Sequence, residues 1–216
     1  MTQKVLDMIH KHRIIVAARG LTDEDVIPFC EAAYEGGIRL IEIPFNQSSA
    51  NRAEEGARKI AMIKEHFGDK ILVGAGTVLT VEEADAAIDA GAAYILSPSL
   101  DEAVVKHTKA RGVCSIPGVM TPTEIQNAHL YGADMVKVFP TNVFGIAYLK
   151  AIRAPLSHIE MVAMGGVNEE NLTEFLGACE AVGIGAGICN KKLLGEKNYA
   201  EITRLAKSFT EQLANM

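Results

Sequence analysis

Lys137 is the residue of this sequence with the clearest capacity for chemistry. It lies inside the apolar segment Met-Val-Lys-Val-Phe-Pro, residues 135–140, which is typical of a buried strand. Because side chains alternate along a strand, Lys137 and Phe139 are predicted to share one face. If that face is enclosed and apolar, desolvation lowers the pKa of the amine, and the neutral amine can attack a carbonyl carbon. The alternative is a lysine that pairs with Glu42 or extends outward to solvent.

Glu42 is a second ionisable residue in an apolar strand segment. It stands near the end of Leu-Ile-Glu-Ile-Pro, and a buried carboxylate requires a partner or a task. An amine and a carboxylate in one enclosed space can perform carbinolamine and enamine chemistry, in which the carboxylate moves protons directly or through a water. A structural ion pair between Glu42 and Lys137 is the alternative interpretation.

Glycines follow the last two apolar segments, as Gly165-Gly166 and as Gly185-Ala-Gly187. Small residues let backbone N–H groups approach an anion, and the dipole of a following helix adds to the attraction. Parallel barrels frequently bind phosphate at these two loops and a short extra helix, which we expect here at residues 190–194. The pattern predicts a phosphate site at Gly165, Gly166 and Gly187, although glycines at strand ends are also ordinary turn residues.

Several further residues at strand ends have two interpretations each. Arg19 can hold a carboxylate or a phosphate with two hydrogen bonds, or it can be a surface arginine at a turn. Thr77 can hydrogen-bond a substrate carboxylate or carbonyl, or it can cap the next helix. Phe139 can pack over an imine or fill the core. Asn46 and Gln47 are either polar site residues or residues of a loop before a helix, and the sequence does not separate the two.

Eight strand–helix units position these residues, which predicts an α/β fold, a (β/α)8 TIM barrel, with the active site at the carboxyl ends of its strands. The first strand ends in Arg-Gly and lacks the GxGxxG fingerprint of an open nucleotide-binding sheet. An extra helix over about the first 12 residues is expected to close the barrel bottom, and no linker divides the single barrel domain of residues 1–216. The predicted strand segments are residues 13–20, 38–43, 71–77, 94–98, 113–118, 135–140, 160–166 and 181–187. The predicted helices are residues 22–35, 49–66, 80–90, 100–110, 123–130, 146–152, 169–176 and 199–213.

Composition excludes several classes of function. The chain has 216 residues, 49% of them hydrophobic, and a net charge of −6, which argues against a general nucleic-acid binder. No segment approaches the roughly 18 apolar residues of a membrane helix, and residues 1–13 do not resemble a signal peptide. The four cysteines and six histidines are dispersed. That disfavours a metal-dependent barrel enzyme and indicates a cytoplasmic protein with reduced thiols, for which we expect no cofactor.

An ordered set of motifs at the strand ends carries a family resemblance. The motifs are Glu42-Ile-Pro-Phe-Asn46, Val73-Gly-Ala-Gly-Thr-Val-Leu79, Ile116-Pro-Gly118, Lys137-Val-Phe-Pro140, Gly165-Gly-Val167 and Gly185-Ala-Gly187. Together they resemble the bacterial keto-deoxy-phosphogluconate aldolase family, which includes the phosphogalactonate and hydroxy-oxoglutarate aldolases. The resemblance implies a class I aldolase on a (β/α)8 barrel, usually a homotrimer and without a metal, which cleaves a 2-keto-3-deoxy sugar acid into pyruvate and an aldehyde.

The resemblance also implies roles for individual residues. Lys137 corresponds to the Schiff-base lysine and Glu42 to the catalytic glutamate. Thr77 and nearby backbone correspond to the pyruvate carboxylate site, and the two glycine loops to the phosphate site.

Two positions depart from the phosphogluconate branch of that family. Asn46 stands where the branch usually has an arginine, and Gly187 stands where it has a serine. Together with Arg19, these departures look more like the phosphogalactonate branch, in which the early arginine is a substrate ligand. We therefore expect a 2-dehydro-3-deoxy-6-phospho sugar acid of gluconate or galactonate type, cleaved to pyruvate and glyceraldehyde 3-phosphate.

Three other functions are compatible with the sequence. One is a hydroxy-oxoglutarate aldolase that releases pyruvate and glyoxylate. Another is a different phosphate-binding barrel enzyme, such as a sugar-phosphate epimerase, although the strand ends lack the histidines that it needs. The last is a barrel kept as a binding protein, which would be expected to lack the lysine or the glutamate.

Overall fold

The computed structural model describes residues 2–216, in which short parallel strands form one nearly closed barrel. The strands are β1 (Ile14–Ala17), β2 (Leu40–Pro44), β3 (Leu72–Gly76), β4 (Tyr94–Leu96), β5 (Cys114–Ile116), β6 (Gly118–Val119), β7 (Val136–Val138), β8 (Met161–Met164) and β9 (Ala181–Ile184). Their order is β5-β4-β3-β2-β1-β9-β8-β7-β6, so the last strand pairs with the first. The predicted TIM barrel is therefore confirmed.

Helices follow the strands around the outside of this sheet, as strand–helix alternation requires. They are α1 (Thr2–His12), α2 (Asp23–Glu35), α3 (Arg52–Phe67), α4 (Val81–Asp89), α5 (Glu102–Ala110), α6 (Pro122–Leu130), α7 (Thr141–Arg153), α8 (Leu172–Leu176), α9 (Lys191–Gly195) and α10 (Tyr199–Ala214).

The fifth predicted strand is divided in two, which corrects the expected count. Its first part, β5, pairs with β4, and its second part, β6, pairs with β7. Pro117 lies between the two parts and has no N–H to donate to a ladder, although its carbonyl accepts the Lys137 N–H at 2.8 Å. The chain thus changes partners at Pro117, and this segment closes the ring.

Two apolar layers fill the molecule, one between the helices and the sheet and one inside the barrel. The inner layer contains Ile15, Leu40, Leu72, Tyr94, Leu96, Cys114, Ile116, Met135, Val162, Met164 and Ala181. Val5 and Ile9 of α1 are buried in the same layer. Helix α1 therefore closes the bottom of the barrel, as expected.

Three helix starts differ from the predicted ones by three residues or more, and the first is α3, which begins at Arg52 rather than at residue 49. Helix α7 begins at Thr141 rather than at residue 146, and Gly145 interrupts it with φ 70°. Helix α8 begins at Leu172 rather than at residue 169, because residues 168–171 form a turn in which the Asn168 and Asn171 side chains accept backbone N–H groups. None of these differences moves a strand end.

No helix within residues 2–216 combines the length and the apolar character that crossing a membrane demands.

Candidate active site

A cavity of about 280 Å³ opens at the carboxyl ends of the strands. The residues that the sequence placed in the site all line it: Arg19, Glu42, Thr77, Lys137, Phe139, Gly165, Gly166 and Gly187. They come from six different strand–helix units, so the barrel rather than local sequence brings them together.

Strand alternation directs Lys137 into the barrel. Met135, two residues earlier, belongs to the inner apolar layer, whereas Val136 and Val138 belong to the outer one. Lys137 is 5% exposed, and its Nζ lies 4.9 Å from the centroid of the Phe139 ring. The Lys137–Phe139 face predicted from the sequence is thus the inner face.

Glu42 occupies the equivalent inner position on β2, two residues after Leu40. The residue is 2% exposed, and its Oε2 is buried without a hydrogen-bond partner among the described residues. Gly76 of the neighbouring strand makes room for it, since a Cβ at Gly76 would lie 1.3 Å from Oε2. A buried carboxylate oxygen without a donor is costly, which marks Glu42 as a group kept for a ligand or a reaction.

The predicted alternatives of an ion pair or an outward-facing lysine do not describe the arrangement. Across residues 2–216, no ion pair with an N···O distance of 4.0 Å or less joins Lys137 to Glu42. Both groups line the cavity without neutralising each other directly.

Burial changes the protonation of both groups. It lowers the pKa of the Lys137 amine below its ordinary value; the negative charge of Glu42 opposes this shift and the positive charge of Arg19 adds to it. Burial raises the pKa of the Glu42 carboxyl, against the effects of Lys137 and Arg19. Burial thus opposes the charged form of each group, which favours the nucleophilic form of the amine and moves the carboxyl towards the range in which it can both accept and donate a proton.

Thr77 follows β3 in a left-handed backbone conformation, with φ 57°. This region is strained for a β-branched residue and is found mainly where surrounding contacts impose it. Thr77 does not cap the next helix, because Thr80 does: its hydroxyl accepts the Glu83 N–H at 3.2 Å. Thr77 therefore remains available to the cavity that it lines.

The glycine loops present backbone to the other side of the cavity. Gly165 and Gly166 have φ 104° and 77°, a region that favours glycine, and a Cβ at Gly166 would lie 2.4 Å from Asn142. Their carbonyls accept from Thr141 Oγ1 at 2.7 Å and from Asn171 Nδ2 at 2.9 Å. No backbone hydrogen bond to another residue of the 2–216 range engages the N–H groups of Gly165, Gly166 or Gly187.

Arg19 lies between two cavities. It lines the site cavity and also a second cavity of about 350 Å³, which Asn46 and Lys191 line as well. Asn46 thus does not line the cavity that contains Lys137. The short helix α9 lines the second cavity, through Lys191, rather than the site cavity beside the glycine loops. No residue of α9 lines the site cavity. The cavity lining therefore does not support the predicted role of this helix in phosphate binding.

Sequence reasoning missed Glu83 and left Gln47 unresolved. Glu83 is 2% exposed and accepts hydrogen bonds from Arg52 Nε at 2.5 Å and from the Leu79 N–H at 2.6 Å. Gln47 donates to the Thr77 carbonyl at 2.9 Å. The only available signal was a glutamate three residues after Thr80, which indicates a helix start but not contacts with another loop.

Within residues 2–216, no group of three or more His, Cys, Asp or Glu residues is arranged to hold a metal ion. The donors that line the site cavity are one amine, one guanidinium, one carboxyl, one hydroxyl and backbone groups.

The chain is similar to known proteins over most of its length. The family model described as "Aldolase: KDPG and KHG aldolase" matches residues 5–205. A 2-dehydro-3-deoxy-6-phosphogalactonate aldolase of Escherichia coli is 32% identical over 200 residues, 92% of this chain and 95% of the relative. A 2-dehydro-3-deoxy-phosphogluconate aldolase of Treponema pallidum is 32% identical over 205 residues, 94% of each chain.

A solved structure shares the fold. The crystal structure of the KDPG aldolase from Legionella pneumophila, with pyruvate captured at low pH as a covalent carbinolamine intermediate, aligns with a TM-score of 0.83 at 26% identity. The alignment covers 92% of this chain and 94% of that chain.

The barrel, its buried amine and carboxyl, and these relatives define an aldolase, and aldolases are lyases. More narrowly, the chain belongs to the KDPG and KHG aldolase family. This membership favours the aldolase over the epimerase and the binding-protein alternatives.

Proposed function

We propose that this protein is a class I aldolase that cleaves a 2-dehydro-3-deoxy-6-phospho sugar acid into pyruvate and glyceraldehyde 3-phosphate through a Schiff base on Lys137. The observation that carries the proposal is the amine of Lys137, 5% exposed and unpaired, in one cavity with the partnerless carboxyl of Glu42. The captured carbinolamine of the Legionella pneumophila relative supports covalent chemistry with pyruvate in this fold.

In the proposed mechanism the neutral Lys137 amine attacks the C2 ketone, and loss of water gives an iminium. The iminium accepts the electrons of the C3–C4 bond while the C4 hydroxyl loses its proton to Glu42, directly or through a water. The aldehyde leaves, C3 of the enamine gains a proton, and water releases pyruvate from Lys137. No metal or cofactor takes part in this proposal.

The other lining residues would hold the ends of the substrate. We assign the keto-acid carboxylate to Thr77 and the nearby backbone, and the iminium to the space beside the Phe139 ring. The phosphate is assigned to the N–H groups of Gly165, Gly166 and Gly187, because backbone donors without a backbone partner that line one cavity suit an anion. Arg19, which faces the same cavity, adds a charged donor for a substrate oxygen.

A substrate panel tests the choice of substrate. We expect the 6-phosphates of both the gluconate and the galactonate type to be cleaved, with the galactonate type preferred because Asn46 and Arg19 follow that branch. Hydroxy-oxoglutarate, which has no phosphate, should show a kcat/KM lower by about 10² or more if the glycine loops bind phosphate. Equal or better cleavage of hydroxy-oxoglutarate would contradict the phosphate assignment.

The pH dependence of adduct formation tests the state of Lys137. Because burial lowers the pKa of this amine, the rate of cyanoborohydride trapping with pyruvate should rise with pH and level off below the range in which ordinary lysines lose their protons. Mass spectrometry of the Lys137 peptide gives the rate at each pH. An inflection at or above the ordinary lysine value would contradict a desolvated nucleophile.

We further propose that the protein acts in the cytoplasm as a homotrimer built from one barrel domain per chain. The resemblance to its family supports the trimer, and the dispersed, reduced cysteines support the compartment.

A further inference from the structure

The buried carboxylate of Glu83 joins two loops at the rim of the barrel. From the β3–α4 turn it accepts the Leu79 N–H at 2.6 Å. It also accepts hydrogen bonds from Gln47 Nε2 of the β2–α3 loop at 3.2 Å and from Nε of Arg52, the first residue of α3, at 2.5 Å. All three contacts come from N–H donors, so both oxygens of the Glu83 carboxylate must act as acceptors.

Gln47 carries this connection to the candidate active site. Its side-chain amide is shared between Glu83 and the Thr77 carbonyl, which accepts at 2.9 Å. Thr77 is held at φ 57°, and Gly76 before it leaves the space that Glu42 Oε2 fills. The Gln47 contact therefore acts on a turn that lies beside both the cavity and the buried carboxyl.

We propose that Gln47 and Glu83 are positioning residues, which hold Thr77 in its left-handed conformation so that this turn can bind the carboxylate of the keto acid. The proposal rests on the proposed aldolase function. Glu83 fixes the Gln47 amide, and the amide fixes the Thr77 carbonyl, so that the turn is formed before substrate arrives. Such preorganisation favours binding because the turn need not be ordered when the ligand enters.

A purely structural role as a helix cap accounts for only part of these contacts. Thr80 is the residue that caps α4, and the Glu83 carboxylate instead reaches Leu79, one residue before the cap. The contacts from Gln47, in the β2–α3 loop, and from Arg52, at the start of α3, serve no function in capping α4. Gln47 is exposed at the surface, so its removal leaves the capping contacts and the core unchanged.

The decisive variant is Gln47→Ala, measured by pyruvate-dependent cyanoborohydride trapping on Lys137 and by steady-state cleavage of the phospho sugar acid. We expect the pyruvate concentration at half-maximal trapping, and the KM, to rise about tenfold through loss of the Thr77 contact. The maximal trapping rate and kcat should change by less than about threefold, since Lys137 and Glu42 stay in place. Ser48→Ala is the matched control, because Ser48 is exposed in the same loop and only its backbone N–H is engaged.

The second variant is Glu83→Gln, in which the new side chain has nearly the same size as the original one. It replaces one acceptor by a donor amide facing donors, and we expect a rise in KM at least as large as that of Gln47→Ala, together with a lower Tm. Glu82→Gln, exposed on the same helix, controls for the change of charge. The double variant Gln47→Ala/Glu83→Gln should raise KM no further than Glu83→Gln alone if the two residues act through one path.

The outcomes separate this inference from the proposed function. If the parent protein forms no pyruvate adduct on Lys137, the proposed function fails. If the parent is trapped normally but Gln47→Ala keeps the parental KM and half-saturation, the positioning role is overturned and the aldolase stands. A Glu83→Gln variant with a lower Tm but unchanged KM would likewise reduce Glu83 to a structural residue.

Discussion

Replacement of Lys137 by Met should abolish both the cleavage reaction and covalent trapping of pyruvate. Methionine has a similar length and no amine, so the iminium that accepts the C3–C4 electrons cannot form. We expect kcat/KM to fall by about 10⁴ or more, and peptide mass spectrometry to find no pyruvate adduct at position 137. Lys150→Met, at an exposed position of α7, should retain the parental rate and labelling.

The same substitution should raise the stability of the fold. Because burial lowers the pKa of Lys137, the unfolded chain binds more protons than the folded one between the two pKa values, so this residue favours unfolding more strongly as pH falls through that interval. Removing an unpaired buried amine should stabilise the fold by about 1–3 kcal/mol, or roughly 2–4 °C in Tm per kcal/mol at this size. A lower Tm together with residual adduct on another lysine would contradict the assigned role.

Replacement of Glu42 by Gln should impair cleavage of the C3–C4 bond without preventing formation of the pyruvate adduct on Lys137. The amide keeps the shape of the carboxyl but cannot accept the C4 hydroxyl proton, so we expect kcat for cleavage to fall by about 10³. Lys137 remains, and pyruvate should still be trapped on it by cyanoborohydride. The measurement is a comparison of steady-state cleavage with the trapped fraction at saturating pyruvate.

The pH profile of the Glu42→Gln variant adds an independent readout. The negative charge of Glu42 raises the pKa of Lys137 against the effect of burial, so the variant should show its trapping inflection at lower pH than the parent. Glu82→Gln, a neutralised glutamate at the surface, should leave the inflection in place. Full cleavage activity in Glu42→Gln would remove the glutamate from the mechanism.

Local sequence was sufficient to predict that Lys137 and Glu42 face the inside of the barrel. Lys137 and Glu42 are charged residues in apolar segments, and the period of two along a strand places each on the face that also carries Met135 or Leu40. Glycine pairs after the last strands likewise depend only on neighbouring residues. These features could be predicted because alternation and turn chemistry are local.

The contacts of Glu83 could not be predicted in the same way. Its partners Gln47 and Arg52 lie 36 and 31 residues earlier in the chain, and the pairing of β2 with β3 brings these segments together. Sequence also did not predict that Pro117 divides the fifth strand, because the change of partner depends on ring closure rather than on the propensity of the segment. Long-range pairing thus limits what a single sequence reveals.

Helix α1 fills the lower end of the barrel with Val5 and Ile9, and this has a kinetic consequence. The cavity is closed at the bottom of the barrel. Under the proposed function, substrate, water and both products must therefore enter and leave at the carboxyl ends of the strands. Under the proposed chemistry the pyruvate fragment stays bonded at depth while the aldehyde fragment lies between it and the exit. Departure is therefore sequential, aldehyde before pyruvate, and synthesis in the reverse direction must load pyruvate first.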